Sequence, residues 1–296
     1  MYYYKAYGLI VESEFELLGI RPTQEVSTTD VTVYHARPSS SWAELVSNNN
    51  QGSRLHIHVD GLLEFWIEDG KYVVAKRKAQ ADPNEAEFAL RAMGGSFILA
   101  LVLRQRGMLT LHSSVLHRKG KTIGFVGDSG WGKSTLAEFF SQRGFDVISD
   151  DIGVVEVGEN SINVRPGQAL VKLRNETVEG LLADTPLPSA LDDGRVYLHK
   201  GGAQDAKRLK LDRLYILNNR FSDATGLKEL TEQEITVQLL RHTHGAHIFE
   251  HDDYRAQLLW QCSEVARRVS ASALNRKRGL KYLEEIADVI NKDIAT

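Results

Sequence analysis

The segment Gly127-Asp128-Ser129-Gly130-Trp131-Gly132-Lys133-Ser134 has the spacing of a phosphate loop: a glycine, four residues, then Gly-Lys-Ser. Apolar Thr122-Ile123-Gly124-Phe125-Val126 precedes it and reads as a strand. Ser134-Thr135-Leu136-Ala137-Glu138-Phe139-Phe140 follows and reads as the opening of a helix. Strand, glycine loop and helix N-terminus together aim several backbone N–H groups at one point, a site for nucleotide phosphates. The missing Cβ of glycine lets the backbone close on those phosphates and take positive φ. Lys133 is expected to reach the outer phosphates, and the Ser134 hydroxyl to ligate Mg²⁺. Gly127, Asp128, Ser129, Gly130, Trp131, Gly132 and Thr135 complete the expected ATP-binding set.

Composition agrees with a folded ATP-binding protein and excludes several other classes. In 296 residues, 42% are hydrophobic and 25% charged, which predicts a packed core rather than disorder. A net charge of −3 offers no footprint for general nucleic-acid binding. Cys262 is the only cysteine, so no intramolecular disulfide or thiol metal cluster can form, and it reads as a small buried hydrophobe. Met1-Tyr2-Tyr3-Tyr4-Lys5 lacks the apolar core of a secretion signal. The apolar run Phe97 to Leu103 is too short to span a bilayer. A soluble, cytoplasmic protein with no membrane or nucleic-acid partner is expected. The oligomeric state is left open, a homo-oligomer included.

Outward from the loop, residues 1–82 read as a β-rich N-terminal lobe and 83–296 as the catalytic domain. Strands are expected over Tyr7–Val11, Val31–Tyr34, Leu55–Val59 and Leu63–Ile67. Glu68-Asp69-Gly70-Lys71 reads as a hairpin turn into Tyr72–Ala75. Alternation in Leu55–Val59 puts His56 and His58 on one face, read as a solvated strand face rather than as metal ligands. A helix capped by Asn84, with Glu87 three residues on, carries Ala86, Leu90, Met93, Phe97 and Leu101 at helical spacing and stops at Gly107. Leu109–Leu116 and Thr122–Val126 are strands, Phe145–Ser149 another, and Val154–Val157 with Ile162–Val164 a hairpin. Residues 184–208 have the proline and glycine content of a mobile segment. Leu214–Leu217 reads as a buried strand, and the C-terminal end as helical with Leu274, Leu280, Leu283, Ile286 and Ile290 inward.

The chemistry gathers around Asp150-Asp151, which begins 17 positions after Lys133 at the end of the next strand. One carboxylate can complete the Mg²⁺ shell with Ser134 while the other accepts a proton from an attacking hydroxyl. His112 sits mid-strand ahead of the loop and reads either as a structural histidine or as a group orienting the acidic pair. His247 and His251 have the i, i+4 spacing of a helical metal pair, but no carboxylate pattern accompanies them. Lys207-Arg208-Leu209-Lys210 reads as a solvated face, or as a clamp for phosphate or an acidic substrate.

Residues Thr122 to Asp151, with the loop, the Arg143-Gly144 helix end and the acidic pair, resemble the catalytic core of HPr kinase/phosphorylase. Leu111-His112-Ser113-Ser114-Val115 is similar to the histidine-bearing strand ahead of that core. The resemblance implies an α/β phosphate-loop kinase core of the HPr kinase and phosphoenolpyruvate carboxykinase type, here with a β-rich N-terminal lobe. It implies ATP and Mg²⁺, with transfer to a serine of a peptide or small protein. It also implies catalytic roles for Lys133, His112 and the aspartates: Asp150 as base and Asp151 as magnesium or phosphate partner, the two being exchangeable. Residues 1–106 do not look like the N-terminal domain of that enzyme. The layout is closer to the shorter HPr-kinase-like proteins of ribosomal peptide pathways, some of which phosphorylate a lasso precursor peptide. A small-molecule kinase on the same core, or an ATP-binding regulator without transfer, are the rival readings.

Overall fold

The computed structural model describes residues 1–24, 26, 28–36, 54–167, 169–182, 194–200, 208–249 and 251–295. Much of the 184–208 stretch, with Lys207, and also Gln168 therefore lie outside the described residues. Contacts divide the chain into two compact units, Met1–Thr110 with His244–Leu258, and Leu111–Thr243 with Leu259–Thr296. The compositional boundary at residue 82 falls inside the first of these.

The first unit is a six-stranded sheet with two helices. Its strands are β1 (Tyr2–Ala6), β2 (Leu9–Ser13), β3 (Val31–His35), β4 (Arg54–Val59), β5 (Leu63–Glu68) and β6 (Tyr72–Arg77), in the order β1-β2-β3-β6-β5-β4. The single strand expected from Tyr7 is instead a hairpin. Tyr7 and Gly8 both take positive φ, 54° and 75°, and turn β1 back into β2. Asp69 and Gly70, at φ 55° and 59°, make the same kind of turn between β5 and β6, as expected. Alternation holds in β4: Leu55 and Ile57 are buried, while His56 and His58 share the opposite face. That face is only partly wet, because His56 stacks on Trp66, and burial followed by the nearby His58 charge lowers its pKa.

The long helix expected after residue 83 is two helices, α1 (Pro83–Gly94) and α2 (Phe97–Gln105). Its cap is Asp82, not Asn84. The Asp82 carboxylate accepts from the Asn84 and Glu85 amides, and Pro83 fills the first helical position, where no N–H is needed. The first helix ends at Gly95, where the chain at Leu18 passes close by. A Cβ on Gly95 would stand 2.0 Å from the Leu18 carbonyl oxygen, and the Leu18 amide donates to the Arg91 carbonyl at 2.9 Å. No single described helix is long and apolar enough to cross a membrane, though the bent pair α1–α2 meets the length and composition test together.

The second unit is built on β7 (Leu109–Arg118), β8 (Lys121–Val126), α3 (Lys133–Ser141), β9 (Asp146–Ser149), β10 (Ile152–Val157) and β11 (Ile162–Arg165). There follow β12 (Leu170–Arg174), α4 (Asn175–Leu181), β13 (Arg195–His199), β14 (Leu209–Lys210), β15 (Arg213–Ile216) and β16 (Gly226–Glu229). The chain continues through α5 (Glu232–Arg241), α6 (Asp252–Arg268, which begins in the first unit), β17 (Ser270–Asn275) and α7 (Leu283–Ile294). A mixed nine-stranded sheet runs β14-β11-β10-β7-β8-β15-β17-β16, with β9 also pairing β7, and β12 with β13 forms a separate ribbon. β8 and β9 are each antiparallel to β7. They therefore run parallel to one another, so the loop after β8 and the aspartates after β9 emerge at the same end of the sheet.

Leu274 belongs to β17 rather than to a C-terminal helix, whereas Leu283, Ile286 and Ile290 are the buried face of α7 as expected. This core is aromatic at its centre. The Phe125 ring on β8 lies 5.7 Å from both Phe140 and Tyr215, all three fully buried. Truncation there removes partners that cannot collapse into the gap, so Phe125→Ala is expected to cost about 3–5 kcal/mol. Urea denaturation followed by tryptophan fluorescence measures it, and a loss below about 1 kcal/mol would contradict this packing.

Candidate active site

The strand–loop–helix unit forms where the sequence placed it: β8 ends at Val126 and α3 begins at Lys133. Gly130 and Gly132 take φ of 82° and 91°, a conformation other residues adopt only under strain, and Gly132 is the N-terminal cap of α3. The first-turn amides of α3 have no intrahelical acceptor, and Gly130, Gly132, Lys133, Ser134 and Thr135 line a cleft of about 230 Å³. Lys133 bends back over the loop and donates from Nζ to the Gly127 and Asp128 carbonyls at 2.8 and 2.9 Å. Burial lowers its pKa from 10.5 to about 8 against the opposing pull of Asp150, Asp151 and Asp128.

Two further contacts pin the loop. The buried His242 ring at the end of α5 bonds through Nδ1 to the Asp128 carboxylate at 2.8 Å, and meets the Trp131 ring edge-on at 5.4 Å. Burial depresses the His242 pKa, with Asp128 pulling the other way. From the end of β17, Arg276 donates through Nη2 to the Trp131 carbonyl at 2.5 Å and the Asn218 carbonyl at 3.0 Å. Asp128 and Trp131 thus fix the shape of the loop from outside the cleft.

The aspartates stand at the junction of β9 and β10, both of which pair with β7. Their surroundings differ. Asp150 is 1% exposed, accepts a hydrogen bond from the Ser114 hydroxyl, receives the Lys172 amide at 3.4 Å, and lines the cleft together with Ser134. Burial raises its pKa, while the Ser114 and Ser134 hydroxyls oppose the shift. Asp151 is turned the other way by a left-handed backbone, φ 74°, a conformation uncommon for aspartate and held here by the sheet. Its carboxylate, 28% exposed, lies 3.4 Å from His112 Nε2 and 3.1 Å from Lys172 Nζ.

Of the residues singled out by sequence, Ser129, Gly130, Gly132, Lys133, Ser134, Thr135, His112, Asp150 and Asp151 meet in this cleft. The histidine run does not form a helical metal pair: His247 lies in a turn and His251 stands just before α6. In the basic cluster, Arg208 pairs with Glu156 at 2.7 Å, and Leu209–Lys210 is strand β14 against β11. Besides Lys133, the cations that line the cleft among the described residues are Lys172 and Arg174 on β12, and Arg195 on β13. Alternation in Val171-Lys172-Leu173-Arg174, apolar in and basic out, was the sequence signal for the first two.

No protein-family model matches the chain, and no curated protein matches it. The chain is similar to a solved structure of the Hpr(Ser) kinase/phosphatase from Coxiella burnetii. Identity is 11% over 63% of this chain and 90% of that one, with a TM-score of 0.34. A likeness of that depth carries no argument about activity, and the chemistry rests on the side chains.

Those side chains fit a nucleotide with its metal. The glycine loop leaves open backbone at the helix start, and one ammonium and one hydroxyl project beside it. The buried Asp150 carboxylate shares the cleft with that hydroxyl, and together they offer oxygen donors suited to Mg²⁺. Lys133, Ser134 and the loop amides would hold the phosphates, with Ser134 and Asp150 on the metal.

Proposed function

We propose that the chain is an ATP- and Mg²⁺-dependent kinase that phosphorylates a serine hydroxyl on a peptide or small protein. One observation carries the reading: two adjacent carboxylates with opposite surroundings meet the Lys133–Ser134 end of a glycine loop in a single cleft. A site that only sensed nucleotide would need no second, partly exposed carboxylate.

The surroundings favour a division of labour the reverse of the order first implied for the pair. Asp150 is buried against Ser134, where a metal held by that hydroxyl would sit. Asp151 faces a histidine and a lysine and retains contact with solvent. Asp151 is therefore the base. It takes the proton of the acceptor hydroxyl while the hydroxyl oxygen bonds to the γ-phosphorus and the bond to the departing diphosphate breaks. His112 and Lys172 hold its carboxylate in place, and Lys133 answers the charge developing on the phosphoryl oxygens. Ser134 and Asp150 would hold Mg²⁺, which would supply positive charge against the phosphates.

The peptide serine as acceptor is supported by the resemblance of Leu111–Asp151 to HPr kinase, and a lasso precursor by the overall layout. Incubation with ATP, Mg²⁺ and candidate serine peptides, read by intact mass, is expected to show the gain of one phosphoryl group. Transfer to small alcohols but to no peptide would move the acceptor class. Tight ATP binding with no transfer to any acceptor would leave only a regulator.

A further inference from the structure

The first unit carries a side-chain cluster that the kinase chemistry leaves unused. β4 and β5 pair with His58 opposite Glu64 and His56 opposite Trp66, so these four side chains share one face of the sheet. His56 stacks on the Trp66 ring at 4.1 Å and meets the His58 ring at 4.0 Å. Its Nε2 is enclosed and finds no hydrogen-bond partner among the described residues. His58 Nδ1 lies 3.6 Å from Glu64 Oε1, and one ligand atom from each of His56, His58 and Glu64 lies within 4.8 Å of the others.

We propose that His56, His58 and Glu64 form a divalent transition-metal site, with Zn²⁺ the ion it suits best. Two imidazoles and a carboxylate are a zinc donor set, whereas Mg²⁺ and Ca²⁺ take oxygen ligands. Zinc bonds of about 2.0–2.2 Å in a tetrahedron hold ligand atoms roughly 3.3–3.6 Å apart. Closing the triangle therefore takes about 1 Å of side-chain movement, and exposed His58 is able to supply it. Three protein ligands leave a fourth position for water. The ion would engage a ring nitrogen of His56 and tie β4 to β5 across their pairing. Nothing in this site depends on the nucleotide cleft.

The test is zinc titration of the full chain, free of any affinity tag and with excess Mg²⁺ present to occupy the carboxylates of the cleft. Calorimetry is expected to find one Zn²⁺ per chain, and Co²⁺ to give the intense visible bands of four-coordination. His58→Ala and Glu64→Gln should each weaken Zn²⁺ binding at least about tenfold. Both positions are solvent-accessible, so circular dichroism of the metal-free variants should match the unmutated chain. His247→Ala, in the other histidine run, should bind as tightly as the unmutated protein. Absence of uptake, affinity that survives either substitution, or loss in His247→Ala instead overturns the site.

Discussion

Lys133→Met lowers kcat/KM for phosphoryl transfer by about 10²–10³ and at the same time makes the protein more stable at neutral pH. The first effect follows from removing the ammonium that, in the proposed reaction, answers the charge developing on the phosphoryl oxygens. The second follows from burial. Lys133 is 5% exposed, and its pKa falls from 10.5 to about 8, so the folded state holds the charged form at a cost of roughly 3 kcal/mol. Methionine keeps the apolar stem and removes that cost, though it forfeits the bonds to the Gly127 and Asp128 carbonyls. A net gain of about 1–3 kcal/mol is expected. The pH dependence fixes the cause. Below pH 8 lysine is charged in both states and the full penalty applies. Between 8 and 10.5 the unfolded chain binds the extra proton, so the unmutated protein gains stability as pH rises. The advantage of the variant should therefore shrink from pH 7 to pH 10 in urea denaturation. A constant gap, or a variant that keeps its turnover, would refute the placement of the ammonium.

That trade of stability for function was legible in the sequence only in part. The loop could be read because its parts are contiguous: a strand, glycines where φ must be positive, and a helix opening on Lys133-Ser134. The acidic pair could be read for the same reason. Which aspartate does what could not, because it depends on the left-handed turn at Asp151 and on how β9 and β10 pair with β7, which brings Ser114 to Asp150. Lys172 and Arg195 reach the cleft through the β12–β13 ribbon, a pairing that no local pattern announces. His242 likewise meets Asp128 of the loop from far along the chain. The expected long helix stopped at Gly95 for a like reason: the helical period ran on, but Leu18, distant in sequence, packs so close that Gly95 has no room for a Cβ, and the Leu18 amide takes the Arg91 carbonyl. Periodicity reports which faces are apolar, and tertiary crossings decide where an element must stop.

Substituting the two aspartates separately should give two different defects. Asp151→Asn removes the proton acceptor, so kcat should fall by about 10²–10⁴ while the affinity for nucleotide and the Mg²⁺ requirement stay near those of the unmutated protein. Asp150→Asn leaves that acceptor in place but removes the carboxylate beside Ser134, so the Mg²⁺ needed for half-maximal rate should rise by about tenfold or more, with activity partly restored at high metal. Stability separates them as well. Burial raises the Asp150 pKa, so the folded state disfavours its charged form. For an acid shifted this way the cost is absent below the ordinary carboxylate pKa and grows as pH climbs through the folded value. Asp150→Asn should thus gain stability relative to the unmutated chain at pH 7 and lose that advantage near pH 3. Measured rates against Mg²⁺ concentration for both variants decide the matter. If Asp151→Asn transfers phosphate at the unmutated rate while Asp150→Asn is inactive at every metal concentration, the base is Asp150, and the division of labour argued from burial is wrong.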